Sequence, residues 1–238
     1  MAEGVKVVAE ALAGGASVEG LYLAPGWEGS PGAARVVEQA VSSGVRCFAL
    51  DPGVMERTAD TVTPQPLLAV VGMAERSLDD LRSASLVVVC AGLRDPGNAG
   101  VVLRSAQAAG ADGLVCCHES VDLYNPKTVR ASAGALFHLP VVVEGEAAGV
   151  LEQIGGWGIR RMAAVAHEGQ DYSEVDMAGK VAFVLGNEAN GLDSDVVSAC
   201  DSVVTIPLQG RAESLNVGVA ASILCFEAAR QRRAGGRR

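Results

Sequence analysis

The chain has 238 residues, of which 49% are hydrophobic and only 4% aromatic, and its formal net charge is −9. This length allows a well-buried core in one or two domains, and no apolar run approaches the roughly 20 residues that a membrane-spanning helix needs. The acidic charge by itself argues against nucleic acid as a partner, although the last nine residues, RQRRAGGRR, hold five arginines that form either a frayed terminus or a weak RNA contact.

The predicted elements of the first part of the chain alternate between helices and strands. The spacing of apolar residues predicts helices over 4–13, 32–44 and 51–60, and strands over 18–26, 45–51 and 66–73. The following stretch, residues 73–84, is polar and charged between apolar strands, which is typical of a linker. We therefore expect a first domain over 1–74, a linker over 75–84 and a second domain over 85–238.

The second part repeats this alternation with more apolar strands. We predict strands over 85–93, 113–117, 140–145, 159–167, 180–188 and 202–208, helices over 98–109, 125–136, 146–156 and 194–201, and a final helix from about Ser214. Continuous apolar strands that alternate with helices indicate a parallel sheet covered on both faces. The predicted fold class is therefore α/β.

The cysteines and histidines show no metal-ligand or disulfide pattern. None of the six cysteines belongs to a CxxC pair, and the three histidines are scattered. We predict free cytosolic thiols and no metal. The N-terminal stretch MAEGVKVVAEALAGG is an amphipathic helix with acidic residues rather than an export signal, so the predicted location is cytoplasmic.

The usual sequence signatures of nucleotide-binding loops are absent. The chain has no GxxxxGK[ST], and no GxGxxG follows the first strand of either half. An ordinary ATPase or NAD-dependent enzyme is therefore disfavoured, and a cofactor would have to bind through other loops.

Residues 92–110, GLRDPGNAGVVLRSAQAAG, form a strand-to-helix turn with more polar side chains than a turn needs. Asn98 can cap the following helix. Arg104 lies within an Ala/Val-rich helix, where a lone arginine is usually a snorkelling or an ion-paired residue. The functional interpretation is a guanidinium aimed at a phosphate or sugar oxygen. Because open α/β sheets bind ligands at the carboxyl ends of their strands, this turn is a candidate site.

A second strand end, FVLGNEANGLDSD over residues 183–195, also carries unexpected polarity. The apolar strand breaks at Gly186 and continues into Asn187 and Glu188. A turn accounts for the glycine and asparagine, but not for a carboxylate directly after a buried strand.

A third strand end lies in residues 205–230, TIPLQGRAESLNVGVAASILCFEAAR. We expect Ser214 to cap a long helix whose first turn contains Asn216, a poor helix former that needs a polar partner. The helix is rich in glycine and alanine, so one of its faces must pack closely against another backbone.

Together the segments NAGVVLR, LGNEANGL and IPLQGRAESLNVGVAASI resemble, in this order, the three motifs of the SpoU/TrmH family of RNA ribose 2′-O-methyltransferases. YNPKTVRASAGALFHLP, between the first two, is also similar to that family. The detailed resemblance covers about residues 85–230, and residues 1–72 resemble the ribosomal-protein-like α/β domain that binds substrate in rRNA-type members. The chain departs from the family in lacking a basic lead-in and in having Ala189 where glycine is common.

The resemblance implies a fold and a cofactor. The fold is a parallel-sheet domain of the SPOUT class, in which the C-terminal chain threads into a trefoil knot. The cofactor is S-adenosylmethionine, bound by the knot loops mostly through backbone atoms and without a metal. The residues at the matching positions are Leu185, Gly186, Asn187, Ile206, Pro207, Leu208, Leu215 and Asn216.

The resemblance also implies a homodimer in which Arg104 of one protomer completes the active site of its partner. The small-residue helix 216–229 is the expected dimer face. The implied catalytic set is Arg104, Asn98, Glu188, Ser214 and Asn216. Because an arginine side chain normally titrates above about pH 12, we assign Arg104 to gripping phosphate and stabilising the developing alkoxide, and we leave the base open.

Four further basic residues are candidates for phosphate contacts in the RNA. Each is explained equally well as a solvated or ion-paired surface charge. These residues are Arg94, Lys127, Arg130 and Arg211.

The predicted function is methylation of a ribose 2′-hydroxyl in RNA, most simply 23S ribosomal RNA because of the front domain. The alternatives are a tRNA 2′-O-methyltransferase, a non-catalytic RNA- or ribosome-binding relative, and an unrelated nucleotide-binding enzyme. The presence of all five polar residues of the implied catalytic set favours catalysis over binding alone, and the missing phosphate-loop signatures disfavour the unrelated enzyme.

Overall fold

The computed structural model describes residues 1–236, which form a four-stranded and a seven-stranded β-sheet with their helices. The strands are β1 (Ala2–Glu3), β2 (Val18–Leu23), β3 (Cys47–Ala49), β4 (Leu67–Val71), β5 (Leu86–Cys90), β6 (Gly113–Cys116), β7 (Val141–Val143), β8 (Arg160–Val165), β9 (Gln170–Asp171), β10 (Val181–Leu185) and β11 (Ser202–Thr205). The α-helices are α1 (Val5–Ala13), α2 (Ala33–Ser42), α3 (Val54–Thr58), α4 (Pro96–Ala108), α5 (Pro126–Ala131), α6 (Ala147–Gly156), α7 (Ser194–Ser198) and α8 (Val217–Ala234). Short 3₁₀ helices lie at Trp27–Gly29, Leu78–Leu81, Ala135–Phe137 and Tyr172–Glu174.

The first sheet is mixed, with strand order β1-β4-β2-β3. Strand β4 runs antiparallel to β1 and β2, whereas β3 runs parallel to β2. Leu21 and Leu67 are fully buried, and helices α1 and α2 add Val8 and Val36 to the same core. The amphipathic helices predicted for this part thus cover one face of the sheet.

The second sheet is entirely parallel, with strand order β7-β6-β5-β10-β8-β11-β9. Every residue of β5 and β10 is buried. Leu86 and Val88 belong to the core on one face of the sheet, and Val87 and Val89 to the core on the other. The continuous apolar strands arise because both faces are covered, and the predicted α/β fold with a parallel sheet is confirmed.

The residues between the two sheets are more ordered than their charged composition indicates. Leu78 and Leu81 of the 3₁₀ helix are buried in the core that contains Val87. Ser77 and Asp80 form a capping box at the start of this helix. The stretch that we expected to be a linker therefore packs its two leucines onto the second sheet.

Two side-chain contacts connect the first part of the chain to the second. The Nε2 atom of His138 lies 2.8 Å from an Oε atom of Glu10 in α1. A guanidinium nitrogen of Arg130 in α5 lies 3.8 Å from a carboxylate oxygen of Glu3, whose side chain is only 4% exposed. Helix α5 thus contacts the N-terminal strand as well as the second sheet's own helices.

Several predicted helix boundaries were wrong. The helix predicted over 51–60 spans only Val54–Thr58, and the one predicted over 194–201 ends at Ser198. The helix predicted over 98–109 begins two residues earlier, at Pro96, and the one predicted over 125–136 ends at Ala131. That second helix stops because Ala133 has a φ of 50°, outside the helical region. The last helix begins at Val217 instead of Ser214, and the short strands β1 and β9 were not predicted.

Within residues 1–236 the structure contains no helix that is long and apolar enough to cross a membrane.

Candidate active site

A cavity of about 660 Å³ opens at the carboxyl ends of β10, β8 and β11, which are neighbours in the second sheet. In a parallel sheet the loops that follow these strands emerge on the same edge, and such edges are where open α/β sheets bind ligands. The cavity is lined by residues 164–167, 185–192 and 214–217 together with Asn98, Val204, Ile206, Leu208, Ala220 and Leu224.

The loop after β10 turns back on itself tightly. Asn187 and Gly191 exchange two backbone hydrogen bonds of 2.8 and 2.9 Å, and the Asn187 side chain accepts from the backbone N–H groups of Ala189 and Asn190. A Cβ atom on Gly186 would lie 2.4 Å from the Gly191 carbonyl group. Glycine at position 186 is therefore required by the close approach of two backbone segments.

Helix α4 begins beside this loop, and its N-cap is Asp95. The Asp95 side chain accepts from the backbone N–H of Asn98 at 2.8 Å, and Pro96 occupies the first helical position. The prediction that Asn98 caps the helix was therefore wrong. The cap at Asp95 leaves the Asn98 side chain free to make contacts outside its own helix.

Glu188 joins the loop after β10 to the start of α4. Its carboxylate accepts from the backbone N–H groups of Arg94 and Asp95, at 3.2 and 3.0 Å, and from the side-chain amide of Asn98, at 3.0 Å. Partial burial opposes ionisation, but these hydrogen bonds outweigh it and hold the pKa of Glu188 below its usual value. The carboxylate is therefore ionised at neutral pH and fixed against α4.

Asn216 connects the third segment to the same group. Its amide nitrogen donates to the side-chain oxygen of Asn98 at 2.8 Å, while its own oxygen accepts from the backbone N–H groups of Gly218 and Val219. Asn216 is thus the N-cap of α8, and the prediction of Ser214 as the cap was wrong. We call the continuous series Asn216–Asn98–Glu188 the polar relay.

The remaining predicted catalytic residues lie differently. Ser214 lines the cavity but does not cap α8. Arg104 is exposed on α4 and is not among the residues that line the cavity of its own chain. The structure thus brings Asn98, Glu188 and Asn216 into direct contact and places Arg104 outside the group.

Most residues predicted to hold a cofactor line the cavity. These are Leu185, Gly186, Asn187, Ile206, Leu208, Leu215 and Asn216, whereas Pro207 is not part of the lining. Residues 164–167, at the end of β8, line the cavity but were not predicted. The available signal was the segment AHEG directly after an apolar strand, at the same sheet edge as the three motifs.

The four basic residues predicted to contact phosphate lie in different surroundings. Arg94 is 3.9 Å from Glu119, and Lys127 is 3.7 Å from Asp95, with both cations largely exposed. Arg211 is also exposed. Arg130 is instead engaged with the buried Glu3, so it is the least available of the four.

Comparison with protein-family models matches residues 85–226 to the SpoU rRNA Methylase family and residues 1–69 to an MRM3-like substrate binding domain. The 23S rRNA (guanosine(2553)-2′-O)-methyltransferase RlmP of Bacillus subtilis is 33% identical over 186 residues, which cover 78% of this chain and 73% of RlmP. The 23S rRNA (guanosine-2′-O-)-methyltransferase RlmB of Xanthomonas axonopodis pv. citri is 32% identical over 237 residues, which cover 96% of this chain and 95% of RlmB.

The solved structures agree with these relatives. The SpoU methyltransferase AviRb from Streptomyces viridochromogenes, in complex with the cofactor AdoMet, matches with a TM-score of 0.87 at 29% identity and covers 98% of this chain and 89% of AviRb. The family model spans more than half of the chain and includes all three segments that meet at the cavity. The protein therefore belongs to the SpoU rRNA methylase family, as its motifs predicted.

Proposed function

We propose that this protein uses S-adenosylmethionine to methylate a ribose 2′-hydroxyl in 23S ribosomal RNA. The observation that carries this proposal is the polar relay, because it joins one residue from each of the three family motifs at the wall of one cavity. Membership of the SpoU family and the similarity to RlmP and RlmB, which are named as 23S rRNA 2′-O-methyltransferases, support the same reaction and substrate.

The cavity fits S-adenosylmethionine in size and chemistry. Its volume of about 660 Å³ lies within the range of roughly 300–1,000 Å³ that small-molecule sites occupy. Leu185, Ile206 and Leu215 offer apolar surface and only backbone polar groups, which suits an adenine ring that bonds main-chain N–H and C=O groups. When bound, S-adenosylmethionine supplies a methyl group on a positively charged sulfur, and the ionised Glu188 complements that charge.

The polar relay can position the ribose. Each amide nitrogen of Asn98 and Asn216 has two N–H groups, of which the relay uses one. The second N–H of each can donate to a ribose oxygen. Because the relay residues already hold one another, the 2′-hydroxyl would meet groups whose orientation does not have to change, which is how positioning lowers the barrier to transfer.

Arg104 is proposed to act in the active site of a partner protomer. The surface of α4 and α8 around it exposes Val101, Val219 and Phe226, by 37%, 44% and 45%. Exposed apolar side chains on adjacent helices support a homodimer through this surface. In that dimer the protonated guanidinium of Arg104 would grip the phosphate and stabilise the developing alkoxide.

We also propose the trefoil knot that the family resemblance implies. Strand β11 pairs with β8 and not with β10, so the chain crosses β8 after leaving β10. It then returns, and Asn216 bonds Asn98 near the start of α4. This crossing and return support a chain that passes through its own loop.

The two sheets support separate roles for the two parts of the chain. We propose that residues 1–74 form a domain that binds RNA, that 75–84 connect it, and that 85–238 form the methyltransferase domain. The match of residues 1–69 to a substrate binding domain supports the first role. With a net charge of −9, binding would depend on local cations such as Arg94, Lys127 and Arg211.

The location that we propose is the cytoplasm, where ribosomal RNA of the kind named in its relatives would be available. All six cysteines are free thiols in the structure. Free thiols are usual in a reducing compartment.

The test is transfer of labelled methyl from S-adenosylmethionine to deproteinised ribosomal RNA and, separately, to transfer RNA. The product is digested and examined for a 2′-O-methyl nucleoside. We expect label in ribosomal RNA, lost in Arg104→Ala and retained in Arg82→Ala, a matched change at an exposed arginine outside the cavity. If label appears in transfer RNA alone, the proposed ribosomal RNA substrate is wrong. If calorimetry detects no binding of S-adenosylmethionine, the proposed methyltransferase activity is wrong.

A further inference from the structure

The cavity contains two titratable side chains with different environments. Of the described residues that line it, only His167 and Glu188 are titratable. Glu188 is an ionised carboxylate that already accepts three hydrogen bonds. The other two histidines of the chain pair with Glu146 and Glu10, whereas within residues 1–236 His167 has no ion pair.

The two groups lie on opposite sides of β10. Glu188 is bonded to the backbone of Arg94 and Asp95, in the loop that follows β5. His167 follows β8, and β5 and β8 pair with opposite edges of β10. Adjacent strands lie about 4.8 Å apart, so β5 and β8 are separated by roughly 10 Å.

The loop that carries His167 is fixed on both sides of it. The Thr205 hydroxyl donates to the Ala166 carbonyl oxygen at 3.0 Å. Glu168 has a φ of 62°, and a Cβ atom on Gly169 would lie 2.7 Å from the Val204 carbonyl carbon. His167 is therefore held between two residues anchored to β11, and its position at the cavity wall is set by the backbone.

S-adenosylmethionine has a cationic sulfonium, a cationic ammonium and one carboxylate. The Glu188 carboxylate attracts the two cations and repels the carboxylate. A histidine ring can donate an N–H to a carboxylate in either its neutral or its protonated form, and hydrogen bonds to an ionised group are strong. Among residues 1–236, the lining of the cavity contains no lysine or arginine that could replace it.

We propose that His167 binds the carboxylate of the methionine moiety of S-adenosylmethionine and so fixes the end of the cofactor that lies away from Glu188. The assignment rests on the proposed function, since it takes S-adenosylmethionine as the ligand. His167 would thus contact the cofactor through its side chain, whereas the other contacts in the cavity would be made largely through backbone atoms.

The experiment is a thermodynamic cycle between the side chain and the ligand group. Isothermal titration calorimetry measures the Kd of S-adenosylmethionine and of decarboxylated S-adenosylmethionine for the full-length wild type and His167→Ala. We expect the variant to weaken S-adenosylmethionine binding by about tenfold or more, as for the loss of a hydrogen bond to a charged group, with little effect on the decarboxylated ligand. His167→Gln, which retains an N–H donor, is expected to recover part of the loss.

Two controls separate the possible results. Glu168→Gln alters the neighbouring residue, which does not line the cavity, and should bind both ligands as the wild type does. Thermal unfolding without ligand should give the same Tm for wild type and His167→Ala. An equal loss of affinity for both ligands, or none for either, would overturn the carboxylate assignment and leave the proposed function intact. Failure of the wild type to bind S-adenosylmethionine would overturn both.

Discussion

At the scale of single residues, the site depends on which polar groups already have a hydrogen-bond partner in their own helix. Asp95 takes the N-cap of α4, and this leaves Asn98 free to bond Glu188 and Asn216. Asn98 donates to Glu188 through its amide nitrogen and accepts from Asn216 through its amide oxygen, so one side chain joins the other two. The carboxylate of Glu188 in turn draws the backbone of Arg94 and Asp95 toward the loop after β10.

Replacement of Glu188 should change how stability depends on pH. The pKa of Glu188 is lower in the folded protein than in the unfolded chain, where it is about 4.3. Its hydrogen bonds therefore stabilise the folded protein fully above the unfolded pKa, and this contribution is lost as the pH falls through the lowered pKa. We therefore expect the difference in free energy of unfolding between wild type and Glu188→Gln to be largest near neutral pH and to shrink on acidification. Urea unfolding at a series of pH values measures it, and a difference independent of pH would contradict the prediction.

At the scale of elements, α4 carries the site because it is packed between two other helices. It contacts α5 through Gly100, where a Cβ atom would lie within van der Waals overlap of Ala131. On its other side the hydroxyl groups of Ser105 in α4 and Ser222 in α8 lie 2.6 Å apart. Close packing of this kind holds Asn98 and Asn216, at the starts of α4 and α8, within hydrogen-bonding distance.

Adding a methyl group at the close contact between α4 and α5 should destabilise the protein. Gly100→Ala must displace Ala131, and overpacking of this kind costs about 1–3 kcal/mol of unfolding free energy. Gly149→Ala is the matched control, because it lies in helix α6 with no atom within 4 Å of the added Cβ, and it should stabilise by about 0.5–1 kcal/mol. Urea denaturation measures the unfolding midpoint of each variant. Equal midpoints for the two variants would contradict the prediction, because they would show that α4 and α5 can move apart without a loss of unfolding free energy.

At the scale of the whole molecule, four of the five predicted catalytic residues line one cavity, and Arg104 is the one that does not. The relay residues face the cavity, while Arg104 and the exposed Val101 and Phe226 face solvent on α4 and α8. The first sheet is joined to this body by the Glu10–His138 and Glu3–Arg130 pairs.

Mixing two inactive variants should restore activity if the site is shared between protomers. Asn98→Ala removes the relay from its own cavity, and Arg104→Ala removes the residue proposed for the partner's cavity. After denaturation and refolding of an equal mixture, half of the dimers would be mixed and one of their two sites intact, so methyl transfer should reach about one quarter of the wild-type value. Each variant refolded alone is the control, and a mixture no more active than these would place Arg104 in the site of its own chain.

Much of this molecule could be predicted from local sequence because its signals are local. The apolar runs of β5 and β10 are buried on both faces, so the strands and the parallel sheet follow from composition alone. Glu188 and Asn216 were selected because a carboxylate and an asparagine at strand and helix ends lack a local partner. The three motifs predicted the family, which the comparisons confirmed.

The predictions that were wrong or missing concern which of two nearby residues caps a helix, and which segments far apart in sequence meet at the cavity. Asp95 and Asn98 can both cap a helix, and so can Ser214 and Asn216, and the contacts between the loops decided which residue does so. The wall formed by residues 164–167 was missed because AHEG is a weak signal by itself, and the order of strands in the sheet is what places it beside the loop after β10.

The sequence by itself determined the α/β class, the parallel sheet and the polar residues that the site requires, since burial and chain-local patterning fix these. Only the tertiary structure decided that Asn98, Glu188 and Asn216, up to 118 positions apart, form one relay and that Arg104 lies outside it. Hydrogen bonds over such separations depend on the order of strands in the sheet and on the packing of α4 against α8, which no local pattern specifies.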